Sequence, residues 1–371
     1  MRTISTATPQ MPSTAGAAGN GVTCSASNHS HPSDSMTNRL INLNGGIDQR
    51  NVGAPTAVAD DVYAVDRWYV LTQTATVNVS VTTNPEAGTA ECVRLTQNQV
   101  AAQRMGLCQI IERNNCVDLR SAVASAVARI RCSSSQAIRI SLCEWTGTAD
   151  QVVSDIVNDW TSGTYTAGTF FTTTSMVITD VDAVTPSADT WTDLPIVTGA
   201  LNAGTNNVFL FIWTEGTAAQ NVTLDIARAH FGAGSVPPPF RSRASSVELE
   251  MCKRYYQKSY PLAIAPGINT DSGSQQVMTF AASTTITSNN AYGLIKFPTE
   301  MRATPATVTL YSKIGTAGQV SDNADANLGA NSATLDGATT STKGFTVYNA
   351  SGGNIVTAFV FKFHYTASAE L

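Results

Sequence analysis

The apolar residues of this chain fall in short runs with a two-residue period, separated by turns rich in glycine and asparagine. Ile138, Ile140 and Leu142, for example, lie on one side of a segment whose intervening arginine and serine lie on the other. Such alternation is typical of a strand with one buried face. Many short strands at regular spacing predict an antiparallel β-sandwich or jelly roll.

The composition agrees with β-structure, because only 13% of the 371 residues are charged, about half the share in an ordinary soluble domain. Threonine, serine, alanine, asparagine and glycine take their place, and these residues suit strands and turns. The net charge of −5 without a Lys/Arg cluster argues against a nucleic-acid partner. No apolar run approaches the ~18 residues that span a bilayer, so we expect no membrane insertion. The first ten residues do not resemble a signal peptide, so we expect synthesis in a cytosol.

The predicted fold class is mostly β, in three parts. Residues 1–37 are small and polar, and we expect an extended N-terminal arm that attaches or trimerises the protein, because it cannot bury a core alone. Residues 38–240 are predicted to form a jelly-roll-like β-sandwich that ends at the proline run 237–239. Residues 241–371 are predicted to contain a short linking helix and a C-terminal β-sandwich domain.

Individual elements are predicted from their patterns. Residues 149–160 have apolar spacing that predicts a short helical insertion with Asp150 as N-cap. Residues 245–257 predict the linking helix, capped by Ser245 or Ser246. Strands are predicted at 75–82, 90–95, 107–112, 123–132, 137–145, 175–178, 207–213, 222–231, 276–280, 291–297, 306–312, 345–349 and 356–365. Residues 315–344 are expected to form a loop of low complexity.

The seven cysteines include no Cys-x-x-Cys pair, which argues against zinc-ribbon and thioredoxin-like sites. Cys132 and Cys143 lie within apolar runs. We therefore expect reduced cysteines that act as small buried hydrophobic residues.

Three stretches carry a resemblance to known proteins. The first is Pro9-Gln-Met-Pro-Ser-Thr-Ala-Gly16 with Ser27-Asn-His-Ser-His-Pro-Ser-Asp34, the second is Leu40–Arg50 with Tyr63-Ala-Val-Asp-Arg-Trp68, and the third ends in Glu248-Leu-Glu-Met-Cys-Lys-Arg-Tyr-Tyr256. Together they resemble a bacteriophage and prophage tail-fibre family with an N-terminal His-x-His-Pro module and a carbohydrate-module-like jelly roll. The chain departs from the family pattern at Asn28, Ile47 and Asn51.

This resemblance implies a phage virion fibre protein that is assembled in the bacterial host cytoplasm and displayed on the virion surface. It implies a homotrimer whose N-terminal arm contacts other virion proteins. Two functions compete: a tail-fibre or receptor-binding component that adheres to host surface polysaccharide, and a head fibre, spike or decoration protein with a mainly structural role.

His29 and His31 are two residues apart, so in an extended chain they lie on the same face. In three parallel chains, six imidazoles would converge on the axis, which suits octahedral coordination of iron or another transition metal. The resemblance implies such a metal site. The alternative is a solvated histidine pair in a linker.

Aromatic residues near loops are the candidate glycan-binding residues. Trp160, Tyr165 and Trp191 fit this role, since sugars stack on accessible rings, although each could instead pack in a core. Trp213 lies in an apolar run and is predicted to be buried. Loops of low charge favour a neutral sugar over an acidic one.

Two further sets of residues bear on structure and catalysis. Asp66 and Arg67 are expected to form a structural ion pair beside the indole of Trp68, with sugar stacking by that indole as the alternative. Catalysis has little support, because the chain contains no nucleophile-elbow, zinc-protease or Walker motif. We therefore predict no catalytic residues and no enzyme activity.

Overall fold

The structure, a computed structural model, describes residues 38–83, 90–237, 240–278, 292–321, 325, 327–328, 334–348 and 360–371. The predicted N-terminal arm lies outside the described residues, as do His29 and His31. Within these ranges the chain is mostly β, as predicted, and its strands pair in antiparallel sheets.

Two of the sheets build a sandwich. As far as the structure describes it, the first sheet has six strands, in the order β1 (Thr56–Val58), β4 (Val77–Thr83), β5 (Glu91–Thr96), β12 (Thr223–Ala233), β7 (Val123–Cys132) and β10 (Thr192–Ala200). The described part of the second sheet also has six, in the order β2 (Val62–Val65), β3 (Trp68–Thr72), β6 (Met105–Ile111), β11 (Asn207–Thr214), β8 (Ile138–Trp145) and β9 (Met176–Val184). Short 3-10 helices, Arg113–Asn115 and Val117–Leu119, follow β6.

The sandwich core lies between the two sheets and is built from alternate strand positions. Ala128 and Ile130 of β7 pack in one apolar cluster with Ile140 of β8 and Leu210 of β11. The residues between them point to the outer faces of the sheets, because side chains alternate along a strand. The predicted alternation of β8 and the predicted bounds of β7 are therefore confirmed.

The predicted helix at 149–160 is wrong. The connection between β8 and β9 is irregular, and Val157 makes an isolated β-bridge with Phe171. Asp150 is no helix cap: its carboxylate accepts hydrogen bonds from the backbone N of Arg113 (2.9 Å) and the side chain of Asn207 (2.6 Å). The apolar residues of this segment cover the outer face of the second sheet. A segment packed in this way has its apolar residues on one side, and an amphipathic helix shows the same pattern.

The predicted linking helix is present as α1 (Ser245–Lys253). Its N-cap is Ala244, which has no capping side chain, so the prediction of a serine cap is wrong. Within the part of the chain that the structure describes, no helix is long and apolar enough to cross a membrane.

Smaller sheets follow α1. One contains β13 (Tyr256–Lys258), β14 (Gln275–Met278), β16 (Thr307–Ser312), β17 (Val320–Ser321), β18 (Asn327–Leu328) and β21 (Val360–Ser368). The other has the order β15 (Tyr292–Lys296), β20 (Gly344–Tyr348) and β19 (Thr334–Ser341). Phe345 and Phe363 lie in the core that the two sheets share. The segment 315–344 is thus not one loop, because β19 lies within it.

Candidate functional site

The outer face of the second sheet is aromatic and covered. Phe211 and Trp213 of β11 stack with ring centroids 4.5 Å apart, and Phe170 from the β8–β9 connection stacks on Trp213 at 5.2 Å. Trp213 is fully buried, as predicted. The strand is buried on both faces, which explains its continuous apolar run.

The β8–β9 connection forms a covering layer over this face, and Trp160 and Tyr165 lie together in it. Both rings meet Phe170 edge-on, at 5.8 Å for Trp160 and 5.2 Å for Tyr165, and both side chains are half-buried. Their contacts hold the β8–β9 connection against the sheet. Two of the three predicted glycan-binding residues therefore have a packing role in this structure.

Tyr165 has polar partners as well. The guanidinium of Arg139 lies 4.0 Å from its ring centroid, and its hydroxyl donates to Oε1 of Glu215 (3.1 Å). Arg139 also donates to Oε1 of Glu215 (2.7 Å), and this hydrogen bond lowers the pKa of the Glu215 carboxyl. The edge of the covering layer thus carries a carboxylate that is paired with Arg139 and is more exposed than that partner, at 35% against 18%.

The outer face of the first sheet carries a charged row that reaches solvent. Asp225 of β12 lies between Arg94 of β5 and Arg131 of β7 in the strand register. Arg94 donates from Nε (2.6 Å) and Nη2 (2.9 Å), and Arg131 donates from Nε (2.9 Å) and Nη2 (2.6 Å). The side chain of Asp225 is 1% exposed, against 30% for Arg94 and 17% for Arg131. The carboxylate is therefore buried beneath two accessible guanidinium groups.

Trp191 lies at the end of this row. The guanidinium of Arg131 is 5.0 Å from its ring centroid, and the next residue, Thr192, pairs with Ile130 in the sheet. The indole is half-buried, and its N–H has no hydrogen-bond partner among the described residues. The structure thus places Trp191 on the opposite sheet from Trp160 and Tyr165, so the three predicted residues do not form one site.

The row crosses several strands. Ser80 of β4 pairs with Arg94 in the register, so Ser80, Arg94, Asp225, Arg131 and Trp191 follow one another across the sheet. Neighbouring strands are about 4.8 Å apart, so the row is about 19 Å long. An aromatic ring beside fixed hydrogen-bond donors can hold a sugar by stacking and by hydrogen bonds to its oxygen atoms.

The charged residues of this row were not predicted from the sequence. Arg94, Asp225 and Arg131 each lie between two core residues of a strand, which is the sequence signal for the outer face of a sheet. Their convergence depends on the register of three strands that are distant in the chain, and no local pattern encodes it.

The residues that carry the family resemblance meet elsewhere, in a buried cluster. Asp66 accepts from Arg50 (2.9 Å) and from the side chain of Gln49 (2.7 Å), while Arg67 pairs with Glu370. The predicted pair of Asp66 with Arg67 is therefore wrong, although both side chains are buried as a structural role requires. Burial raises the pKa of Asp66 to about 7, with Arg50 and Gln49 opposing it.

The third stretch of the resemblance joins this cluster. The guanidinium of Arg67 lies 3.6 Å from the ring centroid of Tyr255, and that of Arg50 lies 3.9 Å from the ring centroid of Tyr256. Trp68 is 1% exposed and donates its indole N–H to a backbone carbonyl, so it is closed to sugar stacking. The motif residues join the sandwich to α1 and to the end of the chain.

The other features of the described residues are less suited to a ligand. The cavity of about 480 Å³ beside the start of α1 contains Arg243 and Glu248, which are paired with each other. No group of three or more potential metal-binding side chains occurs in the described ranges. The six described cysteines, Cys92, Cys108, Cys116, Cys132, Cys143 and Cys252, are free and buried, as predicted.

The fold defines the class of this protein: an antiparallel two-sheet β-sandwich followed by smaller sheets. No protein-family model matches the chain, and no curated protein matches its sequence.

Solved structures provide distant similarities. One is the enzymatically active domain of bacteriophage CBA120 tailspike protein 4, with a TM-score of 0.34 and 10% identity over 54% of this chain and only 22% of that chain. Another is the carbohydrate-binding module TmCBM61 in complex with β-1,4-galactotriose, with a TM-score of 0.32 and 11% identity over 53% of this chain and 99% of that chain. A third is the C-terminal family 22 carbohydrate-binding module of Clostridium thermocellum Xyn10B, with a TM-score of 0.30 and 13% identity over 50% of this chain and 96% of that chain. These similarities concern the fold alone and carry no argument about ligand or activity.

Proposed function

We propose that this protein is a fibre component on the surface of a phage virion, and that it adheres to the host surface polysaccharide without enzyme activity. It acts as a homotrimer whose residues 1–37 contact other virion proteins. A tail-fibre or receptor-binding role fits this adhesion best. Iron or another transition metal at His29 and His31 remains part of the proposal for the trimer.

The observation that carries the adhesive role is the row that ends at Trp191. The indole is half-buried and lies 5.0 Å from a guanidinium group on a sheet face that reaches solvent. A half-buried ring keeps its position and still offers apolar surface, so it can stack on a sugar at a low entropic cost.

The buried motif cluster supports the fibre assignment. Residues from two of the three stretches that carry the resemblance, including Asp66, Arg67, Tyr255 and Tyr256, contact one another or share partners. A resemblance in residues that hold the fold together supports a shared architecture. It does not identify the ligand, which depends on the sheet faces and loops.

Shallow sites suit a polymeric target. A trimer presents three copies of the row, and binding of one copy raises the effective concentration of the others at the same polymer. Weak individual sites can therefore give firm adhesion.

The test is adhesion of the purified protein to intact cells of the bacterial host. We expect wild type to bind and Trp191→Ala to bind about tenfold less per site, which corresponds to about 1.4 kcal/mol. Trp160→Ala is the matched control, because it removes a half-buried indole from the other sheet and should leave adhesion unchanged. Equal adhesion of the two variants would contradict the assignment to Trp191.

Failure of the folded wild type to adhere would contradict the adhesive function and favour the alternative of a head fibre, spike or decoration protein. Cryo-electron microscopy of the virion separates these locations directly. We expect density for this chain at the tail, and density at the capsid would overturn the tail-fibre role.

A further inference from the structure

We propose that the row beside Trp191 selects an acidic sugar, one that carries a carboxylate, over a neutral one. This inference rests on the proposed function and names the ligand class of the same site. It differs from the neutral sugar that the low charge of the loops favours.

Positive and negative groups differ in their exposure on this face of the first sheet. The two guanidinium groups of Arg94 and Arg131 reach solvent, whereas the carboxylate of Asp225 between them is 1% exposed. A ligand therefore meets two positive groups before it meets the negative one. In the adjacent row, Arg129 and Asp193 are 3.3 Å apart and contribute one positive and one negative group. The exposed Asp189 adds a negative group near Arg94, and its effect on that arginine is smaller than that of Asp225.

Hydrogen-bond donors outnumber free acceptors at the centre of the row. Asp225 accepts four hydrogen bonds from the two arginines, so its oxygens have little capacity left for a sugar hydroxyl. The Nη1 groups of Arg94 and Arg131 make no hydrogen bond to the described residues. The centre of the row thus offers donors without a matching acceptor. A carboxylate, which only accepts, complements this arrangement better than a hydroxyl, which must also donate.

The guanidinium groups of the row are held in place before a ligand binds. A guanidinium group that is held by two hydrogen bonds to a buried carboxylate loses little further freedom when it binds a ligand. The guanidinium of Arg131 lies over the ring of Trp191, 5.0 Å from its centroid, so a sugar at the exposed part of the indole has this arginine as its next neighbour in the row. The opposite face has the reverse arrangement, because Glu215, at 35% exposed, is more accessible than its partner Arg139, at 18%, so a ligand meets the carboxylate first.

The experiment compares one polysaccharide in two forms. The purified surface polysaccharide of the host is immobilised before and after carbodiimide-mediated reduction of its carboxyl groups to alcohols, and binding of the folded wild-type trimer is measured. We expect at least tenfold weaker binding to the reduced form, and a decline of binding to the untreated form with rising salt. Equal binding to both forms overturns the inference and leaves the proposed function intact. Absence of binding to either form would contradict both this inference and the proposed function.

Variants locate the effect. Arg131→Gln should lower affinity for the untreated polysaccharide about tenfold and leave affinity for the reduced form nearly unchanged. Arg139→Gln is the matched control, because Arg139 also pairs with a carboxylate and lies over an aromatic ring, but on the other sheet. Equal losses for the two variants would place the acidic sugar elsewhere. If Arg131→Gln does not fold, the comparison of the two polysaccharide forms with wild type still decides the question.

Discussion

The contact between Glu370 and Arg67 gives the most specific stability prediction. Glu370 pairs with Arg67, whose side chain is 1% exposed, and with Arg50 at 3.0 Å. In Glu370→Gln the neutral amide replaces the carboxylate, and the cation of Arg67 stays buried. Its remaining partners are the carbonyl of Ile110 and the ring of Tyr255.

Removing one partner of a buried ion pair destabilises a protein by about 3–5 kcal/mol. The glutamine oxygen still accepts a hydrogen bond, so we expect the lower end, about 3 kcal/mol. Each kcal/mol lowers the melting temperature by about 2–4 °C for a domain of 150–250 residues, so this longer chain should lose about 6 °C. Near-ultraviolet circular dichroism during thermal unfolding measures the loss, because the affected rings are tyrosines in a fixed environment.

Glu250→Gln is the matched control, because it removes the same charge from an exposed pair with Lys253. An exposed pair contributes about 0–1 kcal/mol, so the control should melt close to wild type. A double variant, Arg67→Met with Glu370→Gln, should lose less stability than the sum of the two single variants, since no unpaired charge remains in it. If Glu370→Gln has the same melting temperature as the control Glu250→Gln, the ion pair of Glu370 with Arg67 does not stabilise the fold as described.

Two further predictions concern stability. His230 is 4% exposed, and burial, reinforced by Arg243, lowers its pKa from 6.5 to about 4. The unfolded chain therefore binds this proton first as pH falls, and His230 by itself should lower stability by about 2 kcal/mol between pH 7 and pH 4.5, whereas Asp66, whose pKa burial raises to about 7, acts in the opposite direction. Urea unfolding of wild type and His230→Gln at both pH values isolates the histidine: relative to wild type, the variant should gain about 2 kcal/mol on going from pH 7 to pH 4.5, and an equal change in both proteins would refute the assignment. Gly106→Ala should destabilise by up to about 3 kcal/mol, because a Cβ would lie 2.5 Å from a backbone oxygen and 2.6 Å from Cβ of Trp213. Gly163→Ala, which meets no atom within 4 Å, should melt as wild type does, and equal melting of both glycine variants would contradict the close packing.

The strands were predictable where local pattern and packing agree. Residues 123–132 alternate small apolar and polar side chains, and the strand β7 has those bounds because one face is in the core and the other reaches solvent. The pattern of residues 149–160 does not distinguish a helix from an irregular segment, because a segment that covers an apolar sheet face also has its apolar residues on one side. Apart from the apolar run of β11, no local pattern in the sequence indicates that the second sheet is buried on both faces.

The candidate site was only partly predictable. Trp191 and Trp160 are both aromatic residues near loops, so the sequence does not distinguish them. In the structure, Trp160 packs on Phe170 in the covering layer, whereas Trp191 lies beside Arg131 in the row. Arg131 meets Asp225 only because β7 and β12 are paired in one register, and a single residue of slip would reverse every side chain.

The proposed sugar site at Trp191, Arg94 and Arg131 is tested most directly by a structure of the protein with a bound acidic oligosaccharide from the host surface. We predict a sugar ring against the accessible part of the indole of Trp191. Its carboxylate should lie about 3 Å from an Nη1 atom of Arg94 or Arg131, the distance of a charge-assisted hydrogen bond. A sugar bound at Trp160 or Tyr165, without contact to the first sheet, would contradict the assignment of the site to Trp191 and its neighbouring arginines.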